Sequence, residues 1–263
     1  MKVAEITEAS ARTGRSEATY ATIRDRILRH DIRPGEHVTI DTVARALNVS
    51  QTPVREALAR LEADGLLRKE QFRGYSATPL LTPEGFAELF DFRLHLEPWA
   101  ASEAARNAGP AASARLDLEL STVELELEQF YQTLASEGAT GLDQLYRILS
   151  EHDVRFHSMV AELSGNQYLE DAYNSAHCHL HLFRLYLSAR SVAASQGGDA
   201  QAGFDQHYSP AHASSTLGEH RGIAGSIRAG DGARAAEQMA DHLLGSRTRA
   251  GLELEIVVTG SAG

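Results

Sequence analysis

The stretch 141–164 carries Leu145, Leu149, Phe156, Val160 and Leu163 at steps of three and four, the spacing of one buried helix face. Asp153 falls on that face between Leu149 and Phe156, and His157 lies one turn beyond it. A carboxylate turned toward an apolar core is costly unless paired or coordinated, so this pair points to a shared ion. Two later stretches repeat the anomaly: His220 is in line with Leu217, Ile223 and Ile227, and His242 with Ala235, Met239 and Gly245. A single histidine of this kind is ordinarily a hydrogen-bonded core residue. Three imidazoles and a carboxylate projecting from three helices instead make a ligand set for one divalent transition-metal ion, zinc first, with nickel or manganese as alternatives.

A cation accompanies them. Arg93 shares a face with Phe86, Phe90, Leu96 and Ala100. It either pairs with Glu97 at i+4 or faces a pocket, where its forked donors suit a carboxylate ligand. His177, Cys178, His179 and His181 resemble a second cluster, but on one continuous helix 177 and 181 share a side while 179 points away. That run reads as a pocket wall or solvated face, with His181 and Arg184 as candidate effector contacts.

A different chemistry lies near the other end. Ser50, Gln51, Thr52 and Arg55 fall in the first turn and a half of a helix whose apolar stripe is Val54, Ala57, Leu58 and Leu61. These four face outward. Arginine forks onto guanine O6/N7, glutamine pairs with adenine, and serine or threonine binds phosphate or base edges. Arg73-Gly74, at the tip of a polar loop between two short strands, suits close approach to a nucleic-acid backbone or minor groove.

Caps and breaks along the chain mark out the elements that hold these residues. Residues 1–15 are polar and without period, an expected disordered arm. Helical spacing begins at Tyr20, Ile23 and Ile27 and is broken at Pro34-Gly35. Thr39 is placed to cap a short helix, Asn48-Val49 makes a tight turn, and Ser50 opens the third helix, with Pro53 in its first turn. Leu66–Arg68 and Tyr75–Ala77 read as strands of a wing. Thr82 and Pro83 then start an all-helical region with breaks at Gly109-Pro110, Gly138–Gly141, Gly165-Asn166 and Gly230. The organisation predicted is a disordered arm over 1–15, a three-helix winged helix-turn-helix over 16–78, a linker over 79–83, an all-α six-helix-type bundle over 84–253 and a tail over 254–263. A long polar loop, 195–213, has no assigned role.

The charge distribution agrees with two jobs. The chain carries a net charge of −11, yet residues 1–80 hold 13 Lys and Arg against 11 Asp and Glu, and only two of the twelve histidines. The mildly basic part is the one that would meet DNA. The single cysteine, Cys178, excludes an intramolecular disulfide and fits a reducing cytoplasm. No window approaches the roughly 18 apolar residues of a membrane span, and the N-terminus lacks a signal-peptide core, so a cytoplasmic protein without membrane partners is expected.

The run IRPGEHVTIDTVARALNVSQTPVREALARLEADGLL, residues 32–67, resembles the winged-helix DNA-binding domain of the GntR family of bacterial transcription regulators, and the match covers 20–78. It implies that Arg55 and Ser50–Thr52 face DNA, with Arg73 and Gly74 on the wing. Family members commonly carry Arg where this chain has Gln51 and Gly where it has Asn48, so the operator sequence is expected to differ. Asparagine tolerates the left-handed turn, so the fold is expected to stand. ELFDFRLHLEPWAASEAA, DVRFHSMVAELSGNQYL and EHRGIAGSIRAGDGARAAEQMADHL resemble the FCD ligand-binding domain of the FadR-type subfamily, over roughly 84–250. Metal-containing members of that domain use an Asp-x-x-x-His pair and two later histidines, which fall on Asp153, His157, His220 and His242. The resemblance implies a pocket over the metal for a small organic acid, with Arg93 a candidate contact.

These readings predict a homodimeric regulator, a repressor, that binds two operator half-sites and responds to a small carboxylate effector. Two other functions compete. Three histidines and an aspartate with open positions also suit a metal-dependent hydrolase, but the sequence carries no Glu-x-x-His pair, nucleophile triad or Gly-rich phosphate loop. A DNA-binding protein with a purely structural metal is the other.

Overall fold

Thr39 and Thr82 fix the starts of two helices: the Thr39 hydroxyl accepts from the Thr42 amide at 3.2 Å and that of Thr82 from the Gly85 amide at 3.1 Å. Each satisfies a donor that a helix start leaves without a partner. The computed structural model describes residues 2–137, 141–198, 204 and 210–260. The chain divides between Leu80 and Leu81, inside the expected linker, into two units.

The first unit holds α1 (Lys2–Leu28), β1 (His37–Val38), α2 (Ile40–Leu47), α3 (Gln51–Ala63), β2 (Leu67–Glu70) and β3 (Gly74–Ala77). Ile23 and Ile27 of α1 meet Val54, Ala57, Leu58 and Leu61 of α3 in a closed core. Burying each of the large side chains contributes about 1.5–3 kcal/mol. Asn48, in the left-handed conformation at φ 52°, ends α2 and turns the chain into α3 within three residues. The wing is a three-stranded sheet of order β1-β3-β2, antiparallel throughout, with Arg68 opposite Ser76 and Glu70 opposite Gly74.

Two expectations change here. The segment expected as a disordered arm is helical from Lys2 onward. It contains no proline and only Gly14, so nothing stops the helix begun at the buried Ile23–Ile27 turn from running upstream. The strand β1 was not foreseen, because two residues are too short to show a period of two.

The second unit is wholly helical among its described residues: α4 (Pro83–Asn107), α5 (Pro110–Glu137), α6 (Leu142–Leu163), α7 (Gln167–Ala176), α8 (Cys178–Gln196), α9 (Pro210–Arg228) and α10 (Gly232–Gly260). Helix α10 runs along α4, α8 and α9, while α6 packs on α4 and α5. Ala100, Ala101, Ala104 and Ala105 give α4 a small-residue face. Phe156 and Val160 of α6, Ile223 and Ile227 of α9, and Met239 and Leu243 of α10 complete the core around it.

The continuous helix expected to follow the Gly165-Asn166 break and carry 177–181 is two helices. His177 adopts a left-handed conformation, φ 46°, that closes α7 and starts α8 on a new axis. The expected tail from 254 is the last part of α10, whose Leu254 and Val257 pack on Phe86, Phe90 and Leu185. Within the loop 195–213, α8 ends at Gln196, Phe204 is buried against Tyr186, and α9 begins at Pro210. Residues 199–203 and 205–209 of that loop lie outside the described residues.

Candidate functional site

Where α6, α9 and α10 cross, one imidazole projects from each. His157, His220 and His242 are all buried, and their ring centroids form a triangle with sides of 5.2, 5.2 and 4.6 Å. One ring nitrogen from each lies within 4.8 Å of the others, the only such group among the described residues. Phe156 stacks on His220 at 4.1 Å and closes one side with an apolar face.

The outer nitrogens are tied down. His157 Nδ1 donates to Glu97 Oε2 at 2.5 Å, and His242 Nδ1 donates to Glu219 Oε2 at 2.7 Å. A carboxylate only accepts, so each of these imidazoles carries a hydrogen on Nδ1 and turns its Nε2 inward. The His157 Nε2 is buried without a partner, and the Nε2 atoms of His220 and His242 face each other at 3.3 Å. Lone pairs crowded in a buried core repel unless a cation or proton lies among them. Burial holds the His157 imidazole below the ordinary histidine range, against the pull of Glu97, and holds His220 well below it, with the neighbouring imidazoles adding to the effect. Neutral imidazoles are the metal-binding form.

Asp153 stands at the edge of this triangle. Its Oδ1 is buried with no hydrogen-bond partner, 3.9 Å from His220 Nε2, and its Oδ2 is 3.9 Å from His179 Nδ1. An orphaned buried acceptor costs about 1–3 kcal/mol. A cation among Asp153 and the three imidazoles would remove that cost for two orphaned atoms at once, so the residues present fit a divalent metal.

Arg93 is fully buried, and its Nε donates to Glu97 Oε1 at 2.6 Å. Burial alone would push the Glu97 carboxyl up. Arg93 and His157 outweigh it and hold it well below the usual carboxylate range. Arg93 thus sits behind His157, on the far side of Glu97.

A cavity of about 70 Å³ opens beside the imidazoles, roughly the space of two waters. Asp153, His179, His242, Arg249 and Glu253 supply its charged and titratable walls, with Ser150, Thr216 and Ser246 between them. Arg93, His181 and Arg184, the residues expected at an effector, do not line it. The cation in its wall is Arg249, which also reaches Glu219 at 3.4 Å. Sequence reasoning missed Arg249, although it lies seven residues from His242 and so on the same helix face. It misplaced His179 as well. The break at His177 resets the helical phase, and α8 turns His179 inward, where its Nε2 meets the Tyr173 hydroxyl at 2.7 Å. Cys178, buried beside it, has its thiol pushed up to about 12 by burial and is inert as a nucleophile.

In the first unit Ser50, Gln51, Thr52 and Arg55 are exposed along the start of α3, and Arg73 is exposed at the wing turn beside Gly74, whose φ is 89°. Gln51 Nε2 donates to Asp41 Oδ1 at 2.6 Å, and Arg55 Nη2 donates to Gln51 Oε1 at 3.2 Å. Asp41, Gln51 and Arg55 therefore form one hydrogen-bonded row on the outer surface of α2 and α3. Phe72, at the same turn, is 97% exposed with φ 64°.

A winged helix-turn-helix followed by an all-α domain defines a DNA-binding transcription regulator of modular build. This chain belongs to the gntR family of bacterial regulatory proteins: residues 15–76 match that family's model and residues 88–245 match the FCD domain. Among its relatives, the uncharacterized HTH-type transcriptional regulator YdhC of Bacillus subtilis is 26% identical over 63% of this chain and 68% of its own length. The regulator LutR of the same organism is 25% identical over 81% of this chain and 90% of its own length. The solved structure of McbR/YncC from E. coli shares the fold at 16% identity, with a TM-score of 0.56 over 90% of this chain and 97% of that one. The chain is a transcription regulator, not an enzyme, and no helix among its described residues is long and apolar enough to cross a membrane.

Proposed function

We propose that this protein is a cytoplasmic, metabolite-responsive repressor that binds operator DNA as a homodimer and senses a small organic acid beside a bound metal ion. The observation that carries this reading is the inward turn of three imidazole Nε2 atoms whose outer nitrogens are all engaged. His157, His220 and His242, with Asp153, would hold one divalent ion, zinc before nickel or manganese. The metal would supply a Lewis-acidic point for a ligand oxygen. Asp153 and His242 belong both to this group and to the cavity wall, which favours a ligand-sensing metal over a purely structural one. Arg249 supplies a charge-assisted donor for a carboxylate, and the small cavity favours a small acid.

On the DNA side, Ser50, Gln51, Thr52 and Arg55 would enter the major groove, and Arg73 and Gly74 would approach the backbone or minor groove. One recognition helix reads few base pairs, so a dimer on two half-sites is the reading that gives useful specificity. The test is the affinity of the full chain for a duplex selected from a random pool, measured with zinc, after chelation, and with a panel of two- to four-carbon acids. A reproducible change in operator affinity with one acid, dependent on metal, is the expected result. Operator affinity indifferent to metal and to every acid overturns the sensing reading.

A further inference from the structure

His152 is completely buried on α6, yet it is neither in the triangle of imidazoles nor in the cavity wall. Its two nitrogens bridge two helices. Nδ1 lies 2.9 Å from Glu119 Oε1 on α5, and Nε2 lies 2.9 Å from His220 Nδ1 on α9. Glu119 is in turn held by Arg155, whose Nε reaches its two oxygens at 2.8 and 3.0 Å.

The order of protons along this row follows from what each group can donate. The Glu119 carboxylate, gripped by Arg155, accepts only, so His152 Nδ1 must carry hydrogen. A His152 ring whose one hydrogen is on Nδ1 presents a lone pair at Nε2, 2.9 Å from His220 Nδ1. A hydrogen on His220 Nδ1 completes that contact and leaves the His220 Nε2 bare toward His157, His242 and Asp153, the arrangement that metal ligation needs. The opposite tautomer of His220 would set two lone pairs against each other at 2.9 Å and point an N–H at the place where a metal would be bound.

We infer that His152 is a positioning residue: with Glu119 and Arg155 it fixes the tautomer and ring orientation of His220, as Glu97 does for His157 and Glu219 for His242. This rests on the reading of the three imidazoles as metal ligands. It goes further by assigning a carboxylate–imidazole–imidazole relay in the place where the other two ligands have a carboxylate directly. The difference is a matter of reach. Glu119, on α5, hydrogen-bonds His152 rather than His220, and His152 spans the remaining gap.

The experiment compares the full-length wild type with His152→Gln, His152→Leu and Glu119→Gln. Glutamine can accept from His220 Nδ1–H with its amide oxygen and donate to Glu119 with its nitrogen; leucine fills the space but does neither. Nitrogen NMR of the imidazoles in metal-free protein reads the tautomer directly. The wild type and His152→Gln should show His220 protonated at Nδ1, and His152→Leu should show a mixture. Zinc affinity, by competition with a chromophoric chelator, should fall about 10–100-fold in His152→Leu and far less in His152→Gln. Cobalt absorption should shift in His152→Leu and keep the wild-type position in His152→Gln, and Glu119→Gln should lie between wild type and His152→Leu. An unchanged His220 tautomer in folded His152→Leu overturns the relay whether or not the wild type binds metal. Equal loss of zinc in the glutamine and leucine variants also overturns it, since that is what a mere packing role would give. A wild type that shows the tautomer but takes up no zinc overturns the metal reading.

Discussion

His157 donates from Nδ1 to Glu97, sixty residues earlier in the chain, and Glu97 shares its other oxygen with Arg93. Three side chains from two helices thus form one buried row, Arg93–Glu97–His157, that ends at the inner Nε2. The row changes what Arg93 is for. A guanidinium on an apolar helix face suggests a ligand contact, but here its charge offsets a buried carboxylate whose other oxygen holds an imidazole.

Removing Arg93 should therefore damage the proposed metal site. In Arg93→Ala the Glu97 carboxylate is left in the core without its cation, and breaking a buried pair costs about 3–5 kcal/mol. The variant should melt well below the wild type and lose zinc affinity together with any effector response. Calorimetric melting and zinc competition check this. A variant with normal stability and full zinc affinity would return Arg93 to a role at the ligand.

Arg55→Ala should weaken binding to the selected operator by about 1–3 kcal/mol, or roughly 5- to 150-fold, while leaving zinc content unchanged. Non-specific affinity should fall only slightly, because it rests on the sum of phosphate contacts. Fluorescence anisotropy on specific and scrambled duplexes separates the two. Because Gln51 bridges Asp41 and Arg55, Gln51→Ala should relax base preference at the Arg55 position as well as at its own.

Arg249→Ala tests the cavity. A charge-assisted hydrogen bond to a carboxylate contributes about 1.5–3 kcal/mol, so the acid that shifts operator affinity should bind about 10- to 150-fold more weakly. Zinc should still bind, because Glu219 keeps its stronger contact with His242 at 2.7 Å. Titration calorimetry with metal and acid in turn gives both numbers, and unchanged acid affinity would place the carboxylate elsewhere.

Gly232→Ala is a packing test away from the site. A Cβ there would lie 2.8 Å from Ser102 Oγ and 2.9 Å from the Ser102 carbonyl oxygen, so the start of α10 and α4 would have to separate. Overpacking of this kind costs about 1–3 kcal/mol. Thermal melting should show the loss with zinc affinity intact.

Much of this was legible before any coordinates. The helix-turn-helix could be read because Thr39, Asn48 and Pro53 punctuate it and because Val54, Ala57, Leu58 and Leu61 mark one face of α3. The three imidazoles could be read because a polar residue on an apolar stripe is an anomaly that periodicity exposes. His152 lies on the same stripe as Asp153, three residues after Leu149 and four before Phe156, but its partners Glu119 and His220 come from elsewhere in the chain, and no local pattern announces them. His179 was misplaced because one left-handed residue, His177, breaks a helix without glycine or proline to signal it. Arg249 was passed over because an arginine seven residues beyond a histidine reads equally well as a solvated face. The carboxylates Glu97 and Glu219, which hold the outer nitrogens of His157 and His242, were likewise invisible as a set, since those contacts exist only where helices distant in sequence meet.

If His157, His220 and His242 act as one metal site, zinc titration of metal-free protein shows it most directly. The wild type should take up one zinc per chain with high affinity, and His220→Ala, correctly folded by circular dichroism, should lose that uptake while still binding DNA. One zinc bound as tightly by His220→Ala as by the wild type would contradict the account, and so would a wild type that binds none.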